Sequence, residues 1–350
     1  MKNARGICLA VMLVACSIGR QPAHASPVLS NDKHLVTKNG SAMGTEVRIS
    51  IYTDDDEGAL KAADAAFAEI QRLEALMTTW RADSEISRVN AAAGSGPVKI
   101  SDESLEVIEM AQRSSELSGG AFDISFNAMH GLWKFDEDLE KKVPPAAEIR
   151  KRMALIDYRQ IKVDRSNKTV FLAKKGMSIN LGGIAKGYAV DRAVAILKKA
   201  GFTDAIVQAG GDLMCAGSKG GKPWTTGIRD PRSGRDDVFA VMQLVDHAFS
   251  TAGDYERYFI LGGKRYHHII DPKTGYPATK SRSVTIYAPT ALLADAIDDA
   301  VFILGWKKGL ELVESLEDVG AVVVDDQGKV HISKRVRERV HVLHPPTDAP

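Results

Sequence analysis

The chain has 350 residues, with 46 Lys and Arg against 45 Asp and Glu and a formal net charge of +1. So even a balance lacks the electrostatic footprint of a nucleic-acid binder. A content of 44% hydrophobic and 26% charged residues excludes a disordered or fibrous chain, and three cysteines are too few for a disulfide framework.

The first segment reads as an address. Lys2 and Arg5 precede an unbroken apolar run over residues 7–15, too short to span a bilayer. Two cleavage readings compete. Leu13-Val14-Ala15-Cys16 has the form of a lipobox, which leaves Cys16 as a lipidated N-terminus; Ala23-His24-Ala25 has the form of an ordinary small-residue site. An uncleaved anchor is the third. Residues 1–25 are therefore expected to be leader and tether. The body is expected to be exported to the periplasm, with a lipid anchor in the membrane on the first reading. That reading also leaves Cys215 as the only free thiol of the mature chain.

Residues 17–35 are polar and read as a tether. Val47, Ile49 and Ile51 alternate with polar partners, which predicts a half-buried strand over 46–52. Leu60, Ala63, Phe67, Ile70, Leu73 and Met77 predict a long amphipathic helix with acidic residues at its start. A second helix is expected over 101–117, opened by Ser101 and Asp102. Residues 136–150, with Pro144-Pro145, read as a surface excursion. A strand-like 177–179 leads into glycines and a third helix over 184–200, ended by Gly201. From 205 to 286, short strands alternate with Gly-rich turns, among them Gly210-Gly211-Asp212 and Thr274-Gly275. A helix over 290–304 and a strand over 319–324 follow, and residues 334–350 read as a loose tail. The expected architecture is a single α+β domain over 36–333, with a mixed or antiparallel sheet and packed helices.

Three segments carry chemistry. The helix over 290–304 is apolar, yet Asp295 and Asp299 sit one turn apart on one face. Burial makes ionised carboxylates costly unless they are paired, and a hard divalent cation such as Mg²⁺ resolves the conflict. The bland alternative is a solvated acidic edge, since Asp298 is adjacent. The second is Asn180-Leu181-Gly182-Gly183-Ile184-Ala185-Lys186-Gly187, which puts glycines and a lysine at a helix N-terminus, where phosphate binds. It matches neither the Rossmann nor the P-loop spacing. The alternative there is a helix cap and a surface lysine. The third is Tyr266-His267-His268-Ile269-Ile270-Asp271-Pro272, where a His and an Asp beside a turn could do acid–base work. In a strand His267 and His268 face opposite ways, so at most one serves a given site without a bulge. Zinc spacings and a serine-hydrolase elbow are missing. Trp80 and Trp133 could stack on a planar ligand, though core packing is the default.

Eight pieces in order carry a resemblance: Met43-Gly44-Thr45, residues 77–90, Gly120-Ala121-Phe122-Asp123, residues 180–191, Gln208-Ala209-Gly210-Gly211-Asp212, residues 251–257, residues 268–275 and Ala294-Asp295-Ala296. Together they resemble the ApbE family of FAD:protein FMN transferases, over about residues 36–325. The resemblance implies a T-fold-related α+β architecture and a Mg²⁺-dependent reaction. A Thr or Ser hydroxyl of an exported respiratory or redox-complex subunit would attack the FMN phosphorus of FAD, and AMP would leave.

It also implies roles. Met43, Trp80, Ala121, Phe122, Asp123, Asn180, Lys186 and Ile269 would lie along FAD. The Gly183 carbonyl, Asp295 and Asp299 would hold Mg²⁺. His268 would take the acceptor proton and Lys186 would stabilise the phosphoryl oxygens; Asp271, from its place beside the turn, stays a catalytic candidate on the reading of the residues alone. The chain departs from the family pattern in places. Asp299 stands where Thr is common, Asn180 where Asp is, Trp80 where Tyr is and Ala252 where Ser is. The sequence after Asp123 leaves the usual continuation. Three alternatives remain: a FAD pyrophosphatase giving FMN and AMP, a flavin-binding lipoprotein without turnover, and a Mg²⁺-dependent phosphoesterase unrelated to flavin.

Overall fold

Val47, Ile49 and Ile51 point into the core, as their alternation predicts, from a strand over Thr45–Thr53 (β2). Its antiparallel partner is His34–Ala42 (β1), which takes in the end of the stretch read as a tether. β1 is mostly exposed, so it carries no hydrophobic signature of its own. In this computed structural model residues 32–135 and 141–348 are described. The leader reading for residues 1–25 lies outside them.

Helix α1 (Asp56–Met77) follows, with Asp55 accepting a hydrogen bond from the Gly58 N–H at its start. Next come α2 (Glu85–Ala91), β3 (Val98–Lys99), α3 (Asp102–Leu117), α4 (Ala146–Met153), β4 (Ile161–Asp164) and β5 (Thr169–Leu172). Ser101 caps α3 by accepting from the Ser104 N–H. Helix α5 (Ala185–Lys199) leads into β6 (Ala205–Ala209), β7 (Asp212–Ala216), β8 (Trp224–Arg229), β9 (Val238–Leu244) and β10 (Ala248–Gly253). A ribbon of β11 (Tyr258–Leu261) and β12 (Lys264–His267) precedes β13 (Ser281–Ala288). Helices α6 (Ala291–Leu304) and α7 (Trp306–Glu314) then lead to β14 (Gly320–Asp325), β15 (Val330–Ile332) and β16 (Val340–Val342).

The main sheet runs β1-β2-β6-β7-β10-β13-β14-β15, and its neighbouring strands pair antiparallel. The period of two along a strand separates its faces. Met214 and Ala216 on β7, and Ala321 and Val323 on β14, join the large cluster built with α1, α5 and α6. Leu213, Cys215, Val322 and Val324 point the other way, against Trp224 and Phe239 of the small sheet β16-β9-β8. The fold is α+β, as expected, with helices on one face of the main sheet and a second sheet on the other. Cys215 is buried there as a free thiol.

Three local expectations are corrected. Residues 177–179 form no strand. The Asn90 side chain instead accepts from the Ile179 N–H at 2.7 Å and donates to its carbonyl at 2.9 Å, giving that backbone what a strand partner would. The surface excursion, in its described part, contains α4, and Ile149 is buried in a cluster with Met129, Trp133 and Phe259. Ile149, with Val143 packed against the same cluster, is an apolar anchor hidden among charges.

The tail after Ser333 is not loose. Val336 is buried, β16 pairs with β9, and the Thr347 N–H and hydroxyl both donate to Asp230 at 2.8 and 2.7 Å. Its partners are far away in sequence, so local composition could not reveal them.

Candidate active site

The site grows from the close approach of α5 and α6. A Cβ at Gly187 would collide with the Ala291 carbonyl and sit 2.8 Å from the Asp295 Cβ, so glycine permits the contact. At that point the Gly187 N–H donates to Asp295 Oδ2 at 2.9 Å. One turn on, Asp191 accepts from the Ala291 and Leu292 N–H groups at 2.8 and 2.9 Å. The two helices are thus tied in both directions.

Lys186, one residue before Gly187, enters a cage of carboxylates. Its Nζ lies 2.7 Å from Asp212 Oδ2 and 3.3 Å from Asp295 Oδ1. Asp212, Asp295 and Asp298 are all buried, each with an oxygen within 4.8 Å of the others. The Ser250 hydroxyl lies against both Asp212 and Asp298. A hydroxyl has one hydrogen to donate, so it cannot donate to both carboxylates at once. Burial, and then Asp299, Asp295 and Asp212, drive the Asp298 carboxyl well above its ordinary range.

The other groups follow the same logic. Burial, with Asp212 beside it, pushes Asp295 up to about 7. Burial pushes Asp299 up to about 6. Burial opposes the charge of Lys186, but Asp212 and Asp295 outweigh it and hold the ammonium above the usual lysine range. Four carboxylates therefore share this one lysine, and the excess negative charge is what a second cation would neutralise. A cradle for one is visible: a Cβ at Gly183 would stand 3.3 Å from Asp299 Oδ2 and 3.5 Å from the Phe122 ring. The carboxylate donors are all oxygen, which suits Mg²⁺.

Several expected residues gather around this centre. The Asn180 side chain accepts from Gly182 N–H at 2.6 Å and donates to Thr79 Oγ1 at 3.2 Å, which ties the glycine turn to the residue before Trp80. Trp80 is 84% exposed and meets His130 edge-on at 5.9 Å. Met43 and Gly44, between β1 and β2, both have positive φ, at 53° and 72°. That is the two-residue hairpin turn glycine and asparagine favour, so Met43 is held in a strained conformation typical of functional positions. Thr45 lies against Gly210, in the turn that delivers Asp212.

Ala121, Phe122 and Ile269 are buried. His268 is half-buried, its N–H bonded to the Arg257 carbonyl and its Nδ1 without a hydrogen-bond partner. Burial, then His267 and Arg257, lower it to about 3, with Lys186 adding to the effect. β12 ends at His267, and His268 stands in the bend beyond it, so strand alternation does not govern the pair. The His267 Nε2 donates to the Ala278 carbonyl at 2.8 Å and its Nδ1 accepts from Ile269 N–H at 3.3 Å.

Other expected residues serve the frame. Asp123 gives one oxygen to Ser125 and the other to the Tyr158 N–H at 2.8 Å, so its carboxylate secures a turn. Asp271 accepts from the Lys273 N–H at 2.8 Å and closes the turn that Gly275 completes. Trp133 is buried and donates to the Gly275 carbonyl at 3.0 Å. Asp298, read as a possible solvated edge, is buried. Asp212, Ser250 and Asp191 were not assigned from sequence. Gly-Gly-Asp was the only local sign of the first.

The model of the ApbE family matches residues 43–323. The chain belongs to the ApbE family. A Treponema pallidum relative named FAD:protein FMN transferase is 34% identical over 317 residues, covering 86% of this chain and 87% of its own. One of the same name from Klebsiella pneumoniae is 31% identical, covering 89% and 96%. The crystal structure of an ApbE protein from Thermotoga maritima aligns with a TM-score of 0.80 at 34% identity, covering 87% of this chain and 99% of that one. The flavin transferase ApbE from Vibrio cholerae aligns at 0.78 and 26% identity, covering 88% and 99%. Both share the ApbE α+β fold.

Proposed function

We propose that this ApbE-family chain moves FMN from FAD onto a Thr or Ser hydroxyl of a partner protein. The observation that carries the reading is the Lys186 ammonium held between Asp212 and Asp295, beside the Gly183–Asp299 cradle at the start of α5. Such a site suits a pyrophosphate: a cation, glycine backbone open to close approach, and a helix N-terminus.

The hydroxyl oxygen attacks the phosphorus on the FMN side, the bond to the bridging oxygen breaks, and AMP leaves with that oxygen. The acceptor proton passes to the His268 imidazole. Its low proton affinity keeps this ring neutral and able to accept, and the negative phosphates of bound substrate raise that affinity toward the working range. Lys186 faces the charge that builds on the phosphoryl oxygens. Asn180 and Phe122 border the glycine turn, Met43 and Trp80 offer contact to the flavin nucleotide, and Ile269 packs behind.

Gly183, Asp295 and Asp299 would hold Mg²⁺. When bound, the ion neutralises charge on the pyrophosphate. Asp299, a carboxylate where the family commonly has Thr, strengthens that donor set. The acceptor fits an exported subunit of a redox complex, and the leader fits a periplasmic protein anchored by lipid at Cys16.

The test is AMP release from FAD and Mg²⁺ with and without an acceptor domain bearing a reactive Thr. Release that depends on the acceptor supports transfer. Equal release without it, together with free FMN, makes the chain a pyrophosphatase.

A further inference from the structure

Asp191 takes no part in the chemistry above, yet it is buried enough that its carboxyl is pushed up to about 6. Asp191 is half-buried, and its carboxylate has two partners: the first two N–H groups of α6, at 2.8 and 2.9 Å. These donors are unsatisfied within their own helix, and the positive end of its dipole favours an anion. The same helix already has an ordinary cap, since Thr290 Oγ1 accepts from the Leu293 N–H at 3.2 Å. Asp191 adds something that Thr290 cannot, because it belongs to α5.

The contact has a counterpart. Gly187, one turn earlier on α5, donates to Asp295 on α6 at 2.9 Å. Two ties of opposite polarity fix both the separation and the axial register of the helices. α5 begins beside Gly183 and carries Lys186, while α6 carries Asp295 and Asp299. A slide of α6 would therefore part Asp299 from Gly183 and Asp295 from Lys186 together.

We propose that Asp191 is a positioning residue: through the first turn of α6 it sets the register that brings Asp295 and Asp299 into one cation site with Gly183. The inference rests on the reading of those three as Mg²⁺ ligands. It predicts that Asp191 acts on cation affinity beyond any effect on helix stability. Supporting groups behind metal ligands change affinity by about 10–100-fold.

The test is calorimetric titration of Mg²⁺ into the full chain, beside thermal melting, for wild type, Asp191→Asn and Thr290→Ala. Asn keeps one acceptor oxygen but turns an NH₂ group toward a backbone donor. Both variants remove a cap bond from α6 and are expected to melt lower. Only Asp191→Asn is expected to weaken Mg²⁺ binding, by about tenfold or more. Equal Mg²⁺ affinity in all three proteins overturns the proposal, as does an equal loss in both variants. No Mg²⁺ binding by wild type overturns the reading of the site and the inference with it. Should Asp191→Asn fail to fold, Asp191→Glu decides. It keeps the charge on a longer arm, and wild-type affinity in that variant counts against a register role.

Discussion

Lys186 Nζ lies 2.7 Å from Asp212 Oδ2, joining the first turn of α5 to the start of β7. This pair fixes where the lysine charge sits relative to the buried aspartates of α6. Replacing Lys186 by Met removes the cation proposed to face the developing phosphoryl charge and leaves Asp212 and Asp295 less compensated. Transfer is expected to fall by about 10²–10³-fold. Single-turnover rates with saturating FAD measure it, and a change confined to the FAD affinity would remove Lys186 from the chemical step.

The aspartates predict a pH dependence. Folded Asp295 and Asp299 titrate near about 7 and about 6, against roughly 4 for an unfolded aspartate. In the interval between, the folded chain binds more protons than the unfolded one, so stability without metal falls as pH rises from about 4 to 7. Mg²⁺ needs the deprotonated carboxylates, so it stabilises more at about pH 8 than at about pH 5. Melting curves at both pH values, with and without Mg²⁺, measure this. A Mg²⁺ shift larger at pH 5 would contradict it.

Gly187→Ala tests the helix contact. On an isolated helix Ala gains about 1 kcal/mol over Gly. Here the added methyl meets the Ala291 carbonyl and the Asp295 Cβ. Overpacking of this kind costs about 1–3 kcal/mol, so a net loss in urea unfolding is expected, together with weaker activity. A gain in stability would mean that α6 can retreat freely.

The adjacent histidines should separate. His267→Ala leaves the buried Ala278 carbonyl and Ile269 N–H without their partner, and should lower stability by about 1–3 kcal/mol. His268→Ala should preserve the melting temperature and slow transfer by about 10²-fold or more. Full transfer in His268→Ala would end its role as a base.

The contrast between these two residues shows what the sequence makes legible. Alternation predicted that, without a bulge, only one of them could face a given site; the two differ because β12 ends at His267 and the chain bends at His268. The helices with strong local signals were equally readable: Ser101 and Thr290 cap where the pattern starts, and the apolar spacing of α1 fixes its buried face. Asp295 could be singled out because a charge in an apolar helix is locally anomalous. Asp212 could not, since its role depends on a turn that folds back toward α5. Asp298 was ambiguous because sequence does not say which side of α6 meets β10. The tail failed for the same reason, as Thr347 is meaningful only beside Asp230. Local chemistry was visible, and long-range satisfaction of buried groups was not.

The most direct test is intact-mass and peptide mass spectrometry of an acceptor domain incubated with the purified protein, FAD and Mg²⁺. The account predicts a gain of one FMN, held as a phosphoester on a Thr or Ser, and no gain when EDTA removes the metal. An unmodified acceptor beside free FMN and AMP, or FAD left intact by a chain that binds it, would contradict it.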